Sequence, residues 1–225
     1  HHLVVDGVSW RILLEDLQSA YQRLCSGQAV RLPAKTSPFS AWSEQLGDYA
    51  RQPQVQAQLP YWLAQGQNVS VDLPDARTEA SLASRHAHIL HSRLDAPTTQ
   101  RLLQQANSAY RTQINDLLLA ALARVMHNWT GNPDCLVLLE GHGREDLFDT
   151  LDLTRTVGWF TSLFPLRLSS LAAPGACVKQ VKEQVRGVPG KGLGFGLLRY
   201  LGEPASRAAL AALPVPRITF NYLGQ

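Results

Sequence analysis

Apolar residues at Trp10, Leu13, Leu14, Leu17 and Tyr21 recur at steps of three and four, the stripe of an amphipathic helix. Ser9 is a plausible N-cap for that helix, and Ser26-Gly27 supplies a stop. Prolines at 33 and 38 interrupt the pattern, after which Phe39, Trp42, Leu46 and Tyr49 predict a second helix. Tyr61, Trp62 and Leu63 lie on a short third one, and residues 73–84 read as a polar linker.

Past the linker the periodicity alternates between strand and helix. Residues 86–94 predict a strand, Thr98 caps a helix to about Ala109, and residues 114–129 form a strongly apolar helix ended by Gly131. Cys135-Leu136-Val137-Leu138-Leu139 reads as a buried strand running into Glu140-Gly141-His142-Gly143-Arg144-Glu145. Residues 159–168 give another strand, 177–185 a helix and 217–222 a last strand. Strands alternating with helices predict an α/β architecture with helices packed on a sheet.

Composition narrows the function classes. The 225 residues are 45% hydrophobic and 17% charged, enough for a packed core in one domain or two small ones. Lys plus Arg is 21 against 18 acidic residues, a net +3, and no basic run marks a nucleic-acid or membrane surface. Cys25, Cys135 and Cys177 are odd in number and far apart, which predicts neither disulfide framework nor zinc site and fits a cytoplasmic setting. The longest apolar stretch, residues 117–123, falls far short of the roughly 18 residues a membrane span needs. The only methionine is Met126, and both ends, His1-His2-Leu3-Val4-Val5-Asp6 and Phe220-Asn221-Tyr222-Leu223-Gly224-Gln225, read as interior sequence of something longer.

Two segments carry candidate chemistry. In His1-His2-Leu3-Val4-Val5-Asp6-Gly7 a histidine precedes a glycine-containing loop and a helix start, well placed to project an imidazole that titrates near neutral pH. A tag remnant or two surface histidines are the ordinary alternatives. In the segment from Glu140 to Glu145, a carboxylate ends a buried strand, where partial desolvation would raise its pKa and suit it to acid–base work. The ordinary alternative is a loop in which Glu140 and Arg144 pair structurally. The glycine cluster Gly190-Lys191-Gly192-Leu193-Gly194-Phe195-Gly196 lacks the Ser or Thr after lysine and the preceding strand of a phosphate-cradling loop, so tight backbone packing is expected. His86, His88 and His91 alternate on the predicted strand with no acidic or cysteine partner nearby, which predicts surface positions and no metal.

His1, His2, Asp6 and Gly7 stand as an intact His-His-x-x-x-Asp-Gly, which resembles the signature of the condensation-domain superfamily of nonribosomal peptide synthetases. The hexapeptide from Glu140 to Glu145 resembles the hallmark of its epimerization branch. Other segments are similar to the same branch in the same order: Pro33-Ala34-Lys35-Thr36 with Phe39 and Trp42, and the Tyr110-Arg111-Thr112 helix motif through Asp116-Leu117-Leu118. They continue with residues 155–165, the glycine cluster with Phe195 where tyrosine is more usual, and residues 220–225.

The resemblance implies a chloramphenicol acetyltransferase-like two-lobe α/β fold. Residues 1–70 are then the C-terminal part of the first lobe and residues 71–225 most of the second, in an N-terminally truncated fragment that is poorly soluble or inactive alone. It implies L-to-D epimerization of the α-carbon of an aminoacyl or peptidyl thioester, a D-amino-acid step in antibiotic or other secondary-metabolite assembly. His2 and Glu140 are the implied catalytic pair, with His1, Asp6, Arg144, Asn221 and Tyr222 in support and Asp6 held by an ion pair. No cofactor is bound directly, because the phosphopantetheine arm of an upstream peptidyl carrier domain delivers the substrate. Neighbouring adenylation and condensation domains are the further partners implied. A condensation or dual condensation–epimerization domain forming peptide bonds, and a non-catalytic carrier-docking remnant, are the alternatives.

Overall fold

The computed structural model describes residues 1, 3–74, 76 and 83–224. Along the chain come α1 (Gly7–Cys25), α2 (Phe39–Tyr49), α3 (Pro53–Gln56), α4 (Leu59–Gln65), α5 (Ala96–Gln100), α6 (Ala106–Tyr110) and α7 (Ile114–Thr130). Next are β1 (Asp134–Gly141), β2 (Ser162–Ser169), α8 (Pro174–Arg186), α9 (Leu193–Gly196), α10 (Pro204–Ala211) and β3 (Ile218–Phe220). The residues group into two units that are discontinuous in sequence. One comprises His1–Trp62, Glu140–Phe164 and Pro189–Ala212; the other comprises Leu63–Leu139, Pro165–Val188 and Leu213–Gln225.

In the first unit aromatic rings build the core. Trp42 is buried with its ring 5.3 Å from Phe148 and 5.9 Å from Phe160, and Phe39 meets Phe160 edge-on at 5.0 Å. Trp62, fully buried, lies against Phe164 and Phe195 at 6.0 and 5.5 Å. These offset geometries suit the ring quadrupole and add to the area the rings remove from water. Helix α1 begins two residues before the expected Ser9 cap: the Asp6 carboxylate accepts the Ser9 N–H at 2.7 Å and is the N-cap. The apolar row of α1 is exposed at Trp10, Leu13, Leu14, Leu17 and Tyr21, and Ser9 and Ile12 are its buried positions. Arg155 ties the helix down by pairing with Asp16 and Glu15.

The strands, which belong to the second unit except for Glu140–Gly141 of β1 and Ser162–Phe164 of β2, are ordered β2-β1-β3, with β3 parallel to β1 in the register Val137 to Ile218 and Leu139 to Phe220. Helix α7 opens with a reciprocal capping box between Gln113 and Asp116 and closes at Gly131, whose φ of 74° is natural only for glycine. Helix α8 packs along α7; Cys177 and Val181 of α8 and Leu119, Ala120 and Ala123 of α7 are buried, and the Cys177 thiol points at the Ala120 carbonyl, 3.8 Å away. Burial, with the neighbouring Asp134 and Cys177, pushes the Cys135 thiol up to about 11, the environment of an inert core cysteine.

Two local expectations are corrected. Residues 87–95 form neither strand nor helix after a single 3-10 turn at Ser84–His86, and His86, His88, Ile89, Leu90 and His91 are exposed. The helix beginning near Thr98 is capped instead by Asp95, whose carboxylate accepts the Thr98 N–H at 2.7 Å, and it passes through a π turn at Arg101–Gln105 before α6. The observed β2 starts at Ser162, within the predicted 159–168.

Candidate active site

Each candidate residue has a definite origin in the fold, save His2, which lies outside the described residues. His1 is exposed, and its Nδ1 accepts the Leu3 N–H at 3.1 Å. Asp6 is buried at the start of α1. Glu140 sits near the C-terminal end of β1, directly after the buried Leu139. The expected partial desolvation of Glu140 does not occur: the residue is exposed. Asn221 and Tyr222 follow β3 in the second unit, Asn221 exposed and Tyr222 half-buried.

Arg144 joins the two motifs of the first unit. Its Nε donates to Asp6 Oδ2 at 3.1 Å and its Nη2 to Asp6 Oδ1 at 3.0 Å, the bidentate fork geometry that suits guanidinium and carboxylate. Nη2 also donates to Ser9 Oγ at 3.0 Å, Nη1 donates to the Leu153 carbonyl at 3.0 Å, and the guanidinium lies 3.9 Å over the Phe160 ring. Arg144 thus pairs with Asp6 of the histidine motif and not with Glu140 in its own loop.

Burial alone would raise the Asp6 carboxyl, but hydrogen bonds from Arg144 and Ser9 outweigh it and hold the group below its ordinary 3.8.

The sequence shows Ser9 only as a helix cap, yet it is the hub of this contact. Its hydroxyl donates to the Gly158 carbonyl at 2.8 Å and accepts the Gly158 N–H at 3.0 Å as well as Arg144 Nη2. One donor and two acceptor sites are all used, so the fully buried hydroxyl is satisfied. The Asp6 N–H adds a bond to the same Gly158 carbonyl at 3.0 Å. Gly158 belongs to the 155–165 segment, so three motifs far apart in sequence meet at one point.

The hexapeptide loop is pinned elsewhere too. Gly143 has φ 70°, and a Cβ on it would come 1.6 Å from the Phe160 carbonyl oxygen, so only glycine fits. Glu145 Oε1 lies 3.2 Å from His142 Nε2 and its Oε2 accepts from Lys191 Nζ at 2.7 Å. The Arg144 N–H donates to His142 Nδ1 at 3.1 Å, which leaves Nε2 as the ring's donor toward Glu145. The hydrogen bond and charge of Glu145 raise the Lys191 pKa. The glycine cluster packs tightly at its centre only: a Cβ on Gly192 would meet the Phe164 ring at 2.0 Å and one on Gly194 would meet Gln58 at 1.9 Å, whereas Gly196 has nothing within 4 Å.

No group of three or more His, Cys, Asp or Glu among the described residues could hold a metal ion, and no helix among them is long and apolar enough to cross a membrane.

A family profile described as "Condensation domain" matches residues 1–225, and the chain belongs to that family. The chain is 50% identical over 234 residues to a linear gramicidin synthase of Brevibacillus parabrevis, covering 100% of this chain and 3% of that protein. It is 42% identical over 228 residues to tyrocidine synthase 1 of the same organism, of which it covers 21%. Among solved structures it is similar to the epimerization domain from the third module of tyrocidine synthetase B, with a TM-score of 0.90, 40% identity, and coverage of 99% of this chain and 52% of that one. The X-domain from teicoplanin biosynthesis aligns with a TM-score of 0.70 at 25% identity, covering 96% of this chain and 47% of that one. The chain therefore spans about half of its structural relatives and a small part of the synthases it matches. Its fold is of the chloramphenicol acetyltransferase-like α/β class shared by condensation and epimerization domains.

Proposed function

We propose that this chain carries the epimerization site of a nonribosomal peptide synthetase, inverting the α-carbon of an aminoacyl or peptidyl thioester from L to D. The observation that carries the reading is the clasp between Arg144 and Asp6, because it binds the hexapeptide beginning at Glu140 to the histidine motif. The likeness to the tyrocidine synthetase epimerization domain over 99% of the chain supports it.

Inversion requires a proton to leave one face of the α-carbon and another to arrive on the opposite face. The thioester lowers the barrier, since the electron pair left by the proton delocalises onto the carbonyl oxygen, where donors can stabilise the enolate. Glu140 abstracts or returns the proton on one face, and His2 handles or electrostatically supports the other. The bond broken and the bond formed are both C–H, so no oxidant, reductant or resident cofactor enters the balance. Asp6 and Arg144 hold the two segments, and His1 supports the histidine loop. The substrate arrives on the phosphopantetheine arm of an upstream peptidyl carrier domain, with adenylation and condensation domains as neighbours. In this plan residues 1–70 end the first lobe and 71–225 make most of the second.

The test is solvent-deuterium entry at the α-carbon of a carrier-bound amino acid with no acceptor present, in the parent synthetase. Exchange and D-product that vanish in Glu140→Gln support the reading. A new amide in place of exchange assigns the site to condensation, and undiminished D-product in Glu140→Gln overturns the role of Glu140.

A further inference from the structure

The glycine cluster contains one residue whose conformation glycine would adopt more easily. Lys191 has φ 51°, between Gly190 at 52° and Gly192 at 91°, and a side-chain-bearing residue in the left-handed region persists where its surroundings fix it. Those surroundings belong to the loop after Glu140. The Lys191 carbonyl oxygen lies where a Cβ on Gly141 would come within 3.4 Å of it, so the glycine cluster's backbone runs alongside the residue that follows Glu140. The Lys191 ammonium donates to Glu145 Oε2 at 2.7 Å, at the other end of the same loop. Glu145 is largely enclosed, its side chain 12% exposed, with His142 on its second oxygen. Between these ends the Phe160 carbonyl fills the space beside Gly143, and Asp6 anchors Arg144.

We propose that Lys191 is a positioning residue, bracketing the loop from Gly141 to Glu145 with its backbone and its ammonium and so setting where the Glu140 carboxylate stands over the substrate. The inference rests on the reading of Glu140 as the acid–base group. It also separates the two glutamates of the hexapeptide: Glu140 does the proton chemistry, and Glu145 is the counter-charge that the lysine grips. Proton transfer to carbon is steeply sensitive to geometry, so a small displacement of Glu140 slows it strongly. The Lys191 side chain is 73% exposed, so truncating it removes little packing, and a melting curve beside the rate separates positioning from folding.

The experiment measures α-deuterium exchange in the loaded parent synthetase for Lys191→Met, Lys191→Arg, Glu145→Gln and Glu140→Gln, with a melting curve for each. Lys191→Met is expected to lower kcat for exchange by roughly 10- to 100-fold while leaving KM for the loaded carrier and the melting temperature unchanged. Glu145→Gln is expected to lose a similar factor, the double variant little more than either alone, and Lys191→Arg to recover most of the rate. Full exchange in Lys191→Met, a loss confined to KM, or a loss that tracks a fall in melting temperature overturns the proposal. Exchange that survives in Glu140→Gln overturns the reading of Glu140 instead, whereas a silent Glu140→Gln beside a fully active Lys191→Met overturns only the role of Lys191.

Discussion

The Arg144 guanidinium holds the Asp6 carboxylate by two hydrogen bonds, 3.1 and 3.0 Å long, across a sequence separation of 138 residues. Asp6 is at the same time the N-cap of α1, its Oδ1 accepting the Ser9 N–H. One carboxylate therefore fixes both the start of the helix after the histidine motif and the loop after Glu140. Both side chains are about nine-tenths withdrawn from solvent, at 10% and 6% exposure, so the pair lies outside the class of weak surface bridges.

Removing either partner leaves a buried charge without its counter-ion. Asp6→Ala and Arg144→Ala are each expected to destabilise the protein by about 3–5 kcal/mol. The double variant should lose less than the sum of the two, read from urea unfolding. Arg144→Lys should rescue poorly, because a single ammonium cannot grip both Asp6 oxygens, Ser9 and the Leu153 carbonyl. Additive losses would show that the two residues are not coupled.

The same pair sets an acid response. The folded Asp6 carboxyl titrates below 3.8, its ordinary value, which the unfolded chain approximates. The unfolded state therefore binds the proton more readily, and the contribution is full above the unfolded value and disappears as pH falls through the folded one. Melting temperatures between about pH 5 and pH 2 should drop more steeply for the wild type than for Asp6→Asn. Parallel curves would remove Asp6 from the acid transition.

What is legible in the sequence is local or periodic. Helix α7 shows itself by apolar periodicity and Gly131, and β1 by the run from Cys135 to Leu139 that ends at Glu140. Periodicity misplaces the start of α1 because Asp6 and Ser9 are both cap-type residues. The Asp6 carboxylate takes the Ser9 N–H, while the Ser9 hydroxyl is committed to Gly158, 149 residues away. Residues 86–94 alternate like a strand, but a strand exists only with a ladder partner, and residues 87–95 form no ladder. Glu140 is exposed directly after the buried Leu139, and the consecutive burial of Cys135, Leu136 and Val137 leaves no simple inside–outside alternation from which that exposure could be read. The Lys191–Glu145 contact spans 46 residues between two loops, and no periodicity announces such a pair.

Gly143 and Gly47 make a matched contrast. An alanine methyl at Gly143 overlaps the Phe160 carbonyl oxygen in a backbone conformation of φ 70°, and no side-chain rotation relieves a clash with main chain. Gly143→Ala should cost on the order of 1–3 kcal/mol or more and shift Arg144 off the Phe160 ring, with loss of α-proton exchange. At Gly47, inside α2, a methyl meets nothing within 4 Å. Gly47→Ala should stabilise by about 0.4–1 kcal/mol and leave exchange intact. Equal effects at the two sites would contradict the close approach at Gly143.

Helix α1 leaves Trp10, Leu14, Leu17, Tyr21 and Leu24 exposed, by 67% at Tyr21 and 65% at Leu17, on a helix whose buried positions are Ser9 and Ile12. Spaced alternately by four and three residues, these five large apolar side chains share one face of the helix, the kind of exposed apolar surface that marks an interaction site or an aggregation hazard. The 225-residue polypeptide by itself should therefore bind a hydrophobic dye and self-associate as its concentration rises. Leu17→Lys with Leu24→Lys should suppress both while changing unfolding free energy by no more than about 0.5 kcal/mol, since the two side chains are 65% and 64% exposed. The helical propensity of lysine is close to that of leucine, so the substitutions leave α1 itself intact. Light scattering and dye fluorescence across a dilution series decide the matter: a monodisperse monomer with no dye binding would mean that the α1 face is not adhesive.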